Sequence, residues 1–143
     1  MIKVLDGFYI WNKGDNDRLS DNFSTKEFSC KCNYSDCKEQ KVAIKLISDL
    51  QELRNYINTA IEINSAFRCS KHQQDVRESG VKTASGVSSH EQGLAADIRC
   101  PSLRTDELFK IMDNRWDNLG LAKTFIHCDI RPLVNGVKRR WTY

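Results

Sequence analysis

Leu94-Ala-Ala-Asp-Ile-Arg99 alternates in character: Leu94, Ala96 and Ile98 fall on one side, Ala95, Asp97 and Arg99 on the other. That two-residue period is the mark of a half-buried strand. Phe125-Ile-His-Cys-Asp-Ile-Arg131 repeats the pattern, with Ile126, Cys128 and Ile130 facing one way and His127, Asp129 and Arg131 the other. If the two strands are neighbours, their polar faces bring a carboxylate, Asp97, beside an imidazole, His127. His90 precedes Asp97 by seven residues, across a turn containing Gly93, and can fold back to the same point. Two imidazoles and one carboxylate with a fourth place open form a donor set typical of catalytic zinc. The open place lets the metal hold water and lower its pKa toward neutrality. Taken singly, each residue has a plainer reading: a histidine beside a strand as a surface hydrogen-bonding group, Asp97 as a sheet-edge charge that discourages aggregation. Periodicity alone leaves both readings open.

Working outward, the clearest helix covers residues 41–60, where Ala43, Leu46, Ile47, Leu50, Leu53, Ile57 and Ala60 form one apolar stripe. Residues 1–11 read as an extended segment, 12–17 as a polar turn and 22–28 as a short helical turn. A strand is expected over 61–67, helical character over 70–79, and a Gly/Ser/Thr-rich surface loop over 80–89. A second helix is expected over 106–116, with Thr105 as its cap and two acids in its first turn. The order of elements predicts a single α+β domain over residues 1–143, with helices packed on one face of a mainly antiparallel sheet.

Composition narrows the function. The 143 residues are long enough for a real core, and 40% hydrophobic with 29% charged residues is a globular composition. A net charge of +3 gives no support for nucleic-acid binding, which shows as a clustered basic stripe. Lys138-Arg-Arg140 reads as a solvated tail. No run approaches the length of a membrane span. The opening Met1-Ile-Lys-Val-Leu-Asp6 lacks the apolar run of a secretory signal, so synthesis and first residence in the cytoplasm are expected. The six cysteines, in a reducing compartment, are then expected as thiols or metal ligands.

Ser88-Ser-His-Glu-Gln-Gly-Leu-Ala-Ala-Asp-Ile98 fits Ser-x-His-x-x-Gly-x-Ala-x-Asp-Ile. That pattern resembles the signature of the zinc D-Ala-D-Ala carboxypeptidases and L-alanyl-D-glutamate endopeptidases, whose metal scaffold recurs in the hedgehog signalling domain. The segment 125–131 resembles the motif that supplies the family's last histidine. Ile63-Asn-Ser-Ala-Phe-Arg-Cys69 resembles its Asn-Ser-Gly-Tyr-Arg segment, with Ala66 and Phe67 in place of Gly and Tyr. Leu19-Ser-Asp-Asn-Phe-Ser-Thr-Lys-Glu-Phe28 is similar to the opening of its small phage and bacterial members. The resemblance implies a hedgehog-type peptidase fold, with Zn2+ held by His90, Asp97 and His127. It also implies substrate contact or carbonyl polarisation by Arg68, and Ser88 lining the substrate groove. A planar guanidinium suits either task of Arg68.

One departure matters. The family's general base, a Glu or Asp three residues before the last histidine, is replaced by Thr124. Asp129, two residues beyond His127 on the same strand face, is the local substitute; it could equally orient a ligand or pair with Arg131. Glu91 is a further candidate, turned away from the metal. His72 reads as solvated. Cys30, Cys32 and Cys37 could hold a second, structural metal if Cys69 or Cys100 supplies a fourth ligand, and Cys128 reads as a small buried hydrophobe.

The resulting expectation is a monomeric zinc metallopeptidase that hydrolyses an amide bond of the peptidoglycan stem peptide, as carboxypeptidase or endopeptidase. It is of a phage lysis or virion-associated kind, with no nucleic-acid partner and no membrane insertion. The alternative is a zinc-containing cell-wall-binding or phage structural module that has lost catalysis.

Overall fold

The computed structural model describes residues 1–84 and 86–143. Its first layer is a three-stranded antiparallel sheet of β1 (Lys3–Leu5), β2 (Phe8–Asn12) and β3 (Glu39–Ala43) in that order. Between β2 and β3 come the short helix α1 (Thr25–Phe28) and the cysteine loop. Helix α2 (Ile44–Ile57) leads to β4 (Glu62–Ser65), α3 (Ser70–Glu78), β5 (Ala95–Arg99), α4 (Thr105–Asp113), β6 (Asn118–Leu121), β7 (Ile126–Asp129) and β8 (Arg139–Thr142). The second sheet runs β4-β5-β7-β6-β8, antiparallel throughout except for the parallel pair β6 and β8. The fold is α+β, as the order of elements predicts.

The core lies against β5 and β7. Leu46, Ile47, Leu50 and Leu53 of α2 are buried, and so are Ile98, Ile126, Cys128 and Leu119 of the large sheet. Leu108 and Met112 of α4 join the same cluster. Each such aliphatic side chain contributes about 1.5–3 kcal/mol on burial. Among the described residues, no helix is long and apolar enough to cross a membrane.

Several elements differ from the sequence reading. The stripe read as a helix from residue 41 begins as strand: Lys41 pairs with Ile10 and Val42 with Tyr9, and helix starts only at Ile44. It ends at Ile57 because Asn58 turns into the left-handed region (φ 52°, ψ 38°) and donates its N–H to the Arg54 carbonyl at 3.0 Å. Helix α4 starts at Thr105 itself rather than after it. The Arg104 N–H is satisfied by the Glu107 carboxylate at 3.0 Å, the reciprocal bond of a helix start.

Two strands, β6 and β8, are absent from that reading. Arg139 and Arg140, taken there as a solvated tail, are half-buried in β8. Arg140 donates to the Asp113 carboxylate at 2.6 Å and to the carbonyls of Asp117 and Trp116 at 2.9 and 2.6 Å. Nor are β5 and β7 half-buried strands. Asp97, His127 and Asp129 are buried along with the apolar residues between them, with the Trp141 ring of β8 5.2 Å from that of His127 and Ser89 beside Asp129 on the polar side.

Candidate metal centre

The polar residues meet through strand register. Asp97 of β5 pairs directly with His127 of β7, and Ala95 with Asp129. His90 sits in the turn before β5. Gly93 closes that turn with φ +73°, and a β-carbon there would lie 3.1 Å from both Cγ and the carbonyl of Lys41. Only glycine takes that backbone form at that distance without strain. Gly93 N–H donates to the His90 carbonyl at 3.2 Å and Leu94 N–H to that of Ser89 at 2.9 Å, which folds His90 back over β5.

The ligand atoms of His90, Asp97 and His127 all lie within 4.8 Å of one another. Asp97 Oδ1 stands 3.3 Å from His90 Nε2 and 3.1 Å from His127 Nδ1. A tetrahedral zinc with bonds near 2.0–2.1 Å sets neighbouring N and O ligands about 3.3 Å apart. The outer partners settle which ring nitrogens are free. His90 Nδ1 donates to the Ala66 carbonyl at 2.7 Å, so in the neutral ring Nε2 carries a bare lone pair. His127 Nε2 meets the Asp129 carboxylate at 2.7 Å, which leaves Nδ1 bare in the same way. Two lone pairs and a carboxylate oxygen therefore point at one another in a buried place. Such an arrangement is repulsive unless a cation or a proton stands among them. The donor set fits a divalent zinc-like ion with one place left for another ligand.

A model of the peptidase M15 family matches residues 21–129. The chain belongs to the peptidase M15 family. That family is of the zinc D-Ala-D-Ala carboxypeptidase type. No curated protein and no solved structure gives a match. The matched span contains every residue of the centre described so far, from Ala66 to Asp129.

In this M15 peptidase the predicted Arg68 is nearly buried rather than free at a strand end. Its guanidinium donates to Ser65 Oγ at 3.0 Å, to Gln73 Oε1 at 3.0 Å and to Asp97 Oδ2 at 3.2 Å. Asp97 thus turns one oxygen to the histidines and the other to Arg68. Three of the five guanidinium N–H groups are engaged, and two remain for the cleft that Arg68 lines.

Asp129 is fully buried. Besides His127 it accepts from Arg131 Nε at 2.9 Å and from the Arg131 backbone N–H at 3.1 Å, and Ser89 Oγ lies 3.5 Å away. Thr124 is exposed and lines a different cleft beside Arg99 and Lys123. Glu91 turns to Ser88, accepting its N–H at 3.3 Å, while Ser88 Oγ accepts the Glu91 N–H at 3.2 Å. His72 is half-buried on α3 rather than solvated. Cys128 is buried and donates to the Ala96 carbonyl. Cys30, Cys32 and Cys37 gather with Cys69, whereas Cys100 lies in the main core.

The electrostatics follow from the partners. Burial pushes the His90 pKa below its usual range, and Asp97 does not recover it. Burial pushes His127 the same way, but the Asp129 and Asp97 carboxylates outweigh it and raise its pKa. Asp97 is penalised by burial, yet His90 and His127 hold its carboxyl well below the ordinary range. Asp129 is lowered likewise, by His127 and Arg131.

The centre opens onto a cleft of about 290 Å³. Arg68, Lys82, Arg131 and Arg139 give it positive charge, and Asp97 is the one carboxylate among its described lining residues. Phe125, Trp141 and Tyr143 form an aromatic wall; the Trp141 ring centre lies 5.2 Å from that of His127 and the Tyr143 ring 5.3 Å from Phe125. Sequence reasoning missed Trp141, Tyr143 and Arg139, which reach the cleft only because β8 pairs with β6. It also missed Gln73 and Ser89, buried polar residues for which a local pattern gives no signal.

Proposed function

We propose that this M15 peptidase hydrolyses an amide bond in the peptidoglycan stem peptide, with zinc held by His90, Asp97 and His127. The observation that carries the reading is the convergence of three buried donor atoms at the floor of a basic, aromatic-walled cleft. Zinc bound there would polarise the scissile carbonyl and bring the pKa of its water toward neutrality. The chain's own residues prepare that chemistry. Asp129 fixes the ring of His127 with Nδ1 forward, and the Ala66 carbonyl fixes His90 with Nε2 forward. Arg68 holds the outer oxygen of Asp97 and offers its two remaining N–H groups to a substrate oxygen. Arg131 and Arg139 suit a peptide that carries free carboxylates, as stem peptides do. Ser88 lines the groove beside them. Asp129, held by three donors and closed to solvent, serves as the orienting group of His127 rather than as the base.

Muropeptides incubated with the purified protein and resolved by mass spectrometry test this. Cleavage that stops with chelator, returns with zinc and is absent from His127→Ala supports it. The bond cut will separate a carboxypeptidase from an endopeptidase. A second reading, a zinc-holding wall-binding module without catalysis, is favoured by the lack of a carboxylate beyond Asp97 among the described cleft residues. Zinc retention with intact muropeptides after long incubation would establish that reading instead. A phage lysis or virion-associated role, acting on the cell wall, is the setting we propose for either activity.

A further inference from the structure

We propose that Cys30, Cys32, Cys37 and Cys69 form a second metal site, a closed structural tetrathiolate that takes zinc and ties the cysteine loop to the corner bearing Arg68. The four sulfurs lie within 4.8 Å of one another. Cys69 Sγ stands 3.9 Å from Cys30 Sγ and 3.7 Å from Cys32 Sγ. Four thiolates bonded to zinc at about 2.3 Å form a tetrahedron whose edge is about 3.8 Å. A disulfide would need sulfurs about 2.05 Å apart, and all four cysteines are free.

Every sulfur has a hydrogen-bond donor beside it, as metal-bound thiolates do. Each sulfur accepts one N–H: Cys30 from the Cys69 backbone at 3.4 Å, Cys69 from the His72 backbone at 3.4 Å, Cys37 from Gln40 Nε2 at 3.4 Å and Cys32 from Lys13 Nζ at 3.3 Å. Gln40 is wholly buried, and its Oε1 accepts the Cys30 N–H at 2.6 Å, so one side chain braces two of the four residues. Four thiolates around a divalent ion leave two negative charges, and Lys13 brings a positive one directly to them. Outer donors of this kind orient ligands and tune their basicity. Cys30, Cys32 and Cys37 are buried and Cys69 half-buried, and four thiolates would fill a tetrahedral zinc, leaving no coordination place for substrate. It differs in that respect from the three-ligand centre on the cleft.

The placement gives the site a purpose. α1 meets the segment after β4 through one backbone bond, Phe67 N–H to the Phe28 carbonyl at 3.2 Å. Cys69 follows Arg68 directly and caps α3, which carries Gln73, a partner of Arg68. A metal at the cysteines would therefore fix the segment from which Arg68 reaches Asp97.

The test uses the full chain with His90→Ala and His127→Ala together, which removes the cleft centre and leaves the cysteines. Purified under reducing conditions, stripped and titrated with Co2+, this variant should bind one equivalent and develop an intense sulfur-to-cobalt charge-transfer band. Wild-type protein should carry two zinc ions by elemental analysis. Adding Cys37→Ser and Cys69→Ser should abolish the band; should that variant fail to fold, the spectrum of the histidine variant decides alone. No Co2+ binding, or binding without the charge-transfer band, overturns the proposal. So does native protein in which a thiol reagent titrates all four cysteines at once. None of these outcomes depends on whether stem peptides are cut.

Discussion

Replacing Asp129 by asparagine changes one carboxylate oxygen to an amide NH2 and leaves volume nearly untouched, yet the geometry makes it a costly change. Asp129 Oδ1 accepts two bonds from Arg131, at 2.9 and 3.1 Å, so in Asp129→Asn the remaining oxygen stays there and the NH2 faces His127 Nε2. A donor then meets a donor. The imidazole relieves the conflict by moving its proton to Nδ1, the nitrogen that faces Asp97 and the metal position. In that tautomer the lone pair a metal needs is gone. Loss of an outer partner of a metal-bound histidine lowers affinity about 10–100-fold, or about 1.4–2.8 kcal/mol. The wrong-tautomer argument places Asp129→Asn at the upper end of that range. Competition against a chromophoric chelator at constant pH measures the zinc affinity of the cleft centre, with the cysteine site accounted for by the His90→Ala/His127→Ala variant. Equal affinities for wild type and Asp129→Asn would refute the orienting role. Equal affinities together with lost turnover would make Asp129 the proton-transfer group.

Three further outcomes are expected. The pKa of His127 lies above its ordinary value near 6.5, because Asp129 and Asp97 hold its proton against burial, and zinc must displace that proton. Zinc affinity should be level at alkaline pH and fall about tenfold per pH unit below the raised pKa, the decline starting above 6.5; an onset below that value would show that His127 is not so held. A β-carbon at residue 120 would lie 2.3 Å from Trp141 Nε1, so Gly120→Ala should displace the indole from beside His127 and cost about 1–3 kcal/mol in thermal or denaturant unfolding. A Trp141→Ala background should absorb most of that cost, and additive losses would contradict the clash. Arg68→Met removes the charge beside Asp97, whose side chain is only 10% exposed, and breaking such a pair costs about 3–5 kcal/mol. The loss should be larger in zinc-free than in zinc-loaded protein, since the ion compensates Asp97, and equal shifts in melting temperature would speak against a metal at Asp97.

The two strands that build the cleft centre were legible because each carries an uninterrupted two-residue alternation, and register alone then sets Asp97 opposite His127. The apolar stripe of α2 was legible for the same kind of reason, but its start was not. Ala43 fits a helical stripe as well as it fits the last position of a strand, and only pairing with Phe8 decides. β6 and β8 are four residues each, too short to show a period, and β8 carries Arg140, whose partners Asp117, Trp116 and Asp113 lie 23 to 27 residues away. Local charge reads as solvation until those partners are known. The residues that prepare the site, Gln73, Ser89 and Gly120, are equally invisible, because what they do is defined by a neighbour from another element.

The same distinction bears on the missing acid at Thr124. A sequence position has meaning through the strand face it occupies, and Thr124 stands outside β7 on the exposed side, three residues from His127 and away from the cleft. A carboxylate at that position would start from the neighbouring cleft beside Arg99 and Lys123. Asp129 is on the right face but is closed to solvent and tied to His127 and Arg131. Arg68, whose three contacts reach β4, α3 and β5, is therefore the polar group best placed to act on a bound peptide. It can do so only while Ser65, Gln73 and the cysteine-anchored corner hold it against Asp97, which makes the precision of that corner, rather than a carboxylate above the metal, the feature on which turnover should depend.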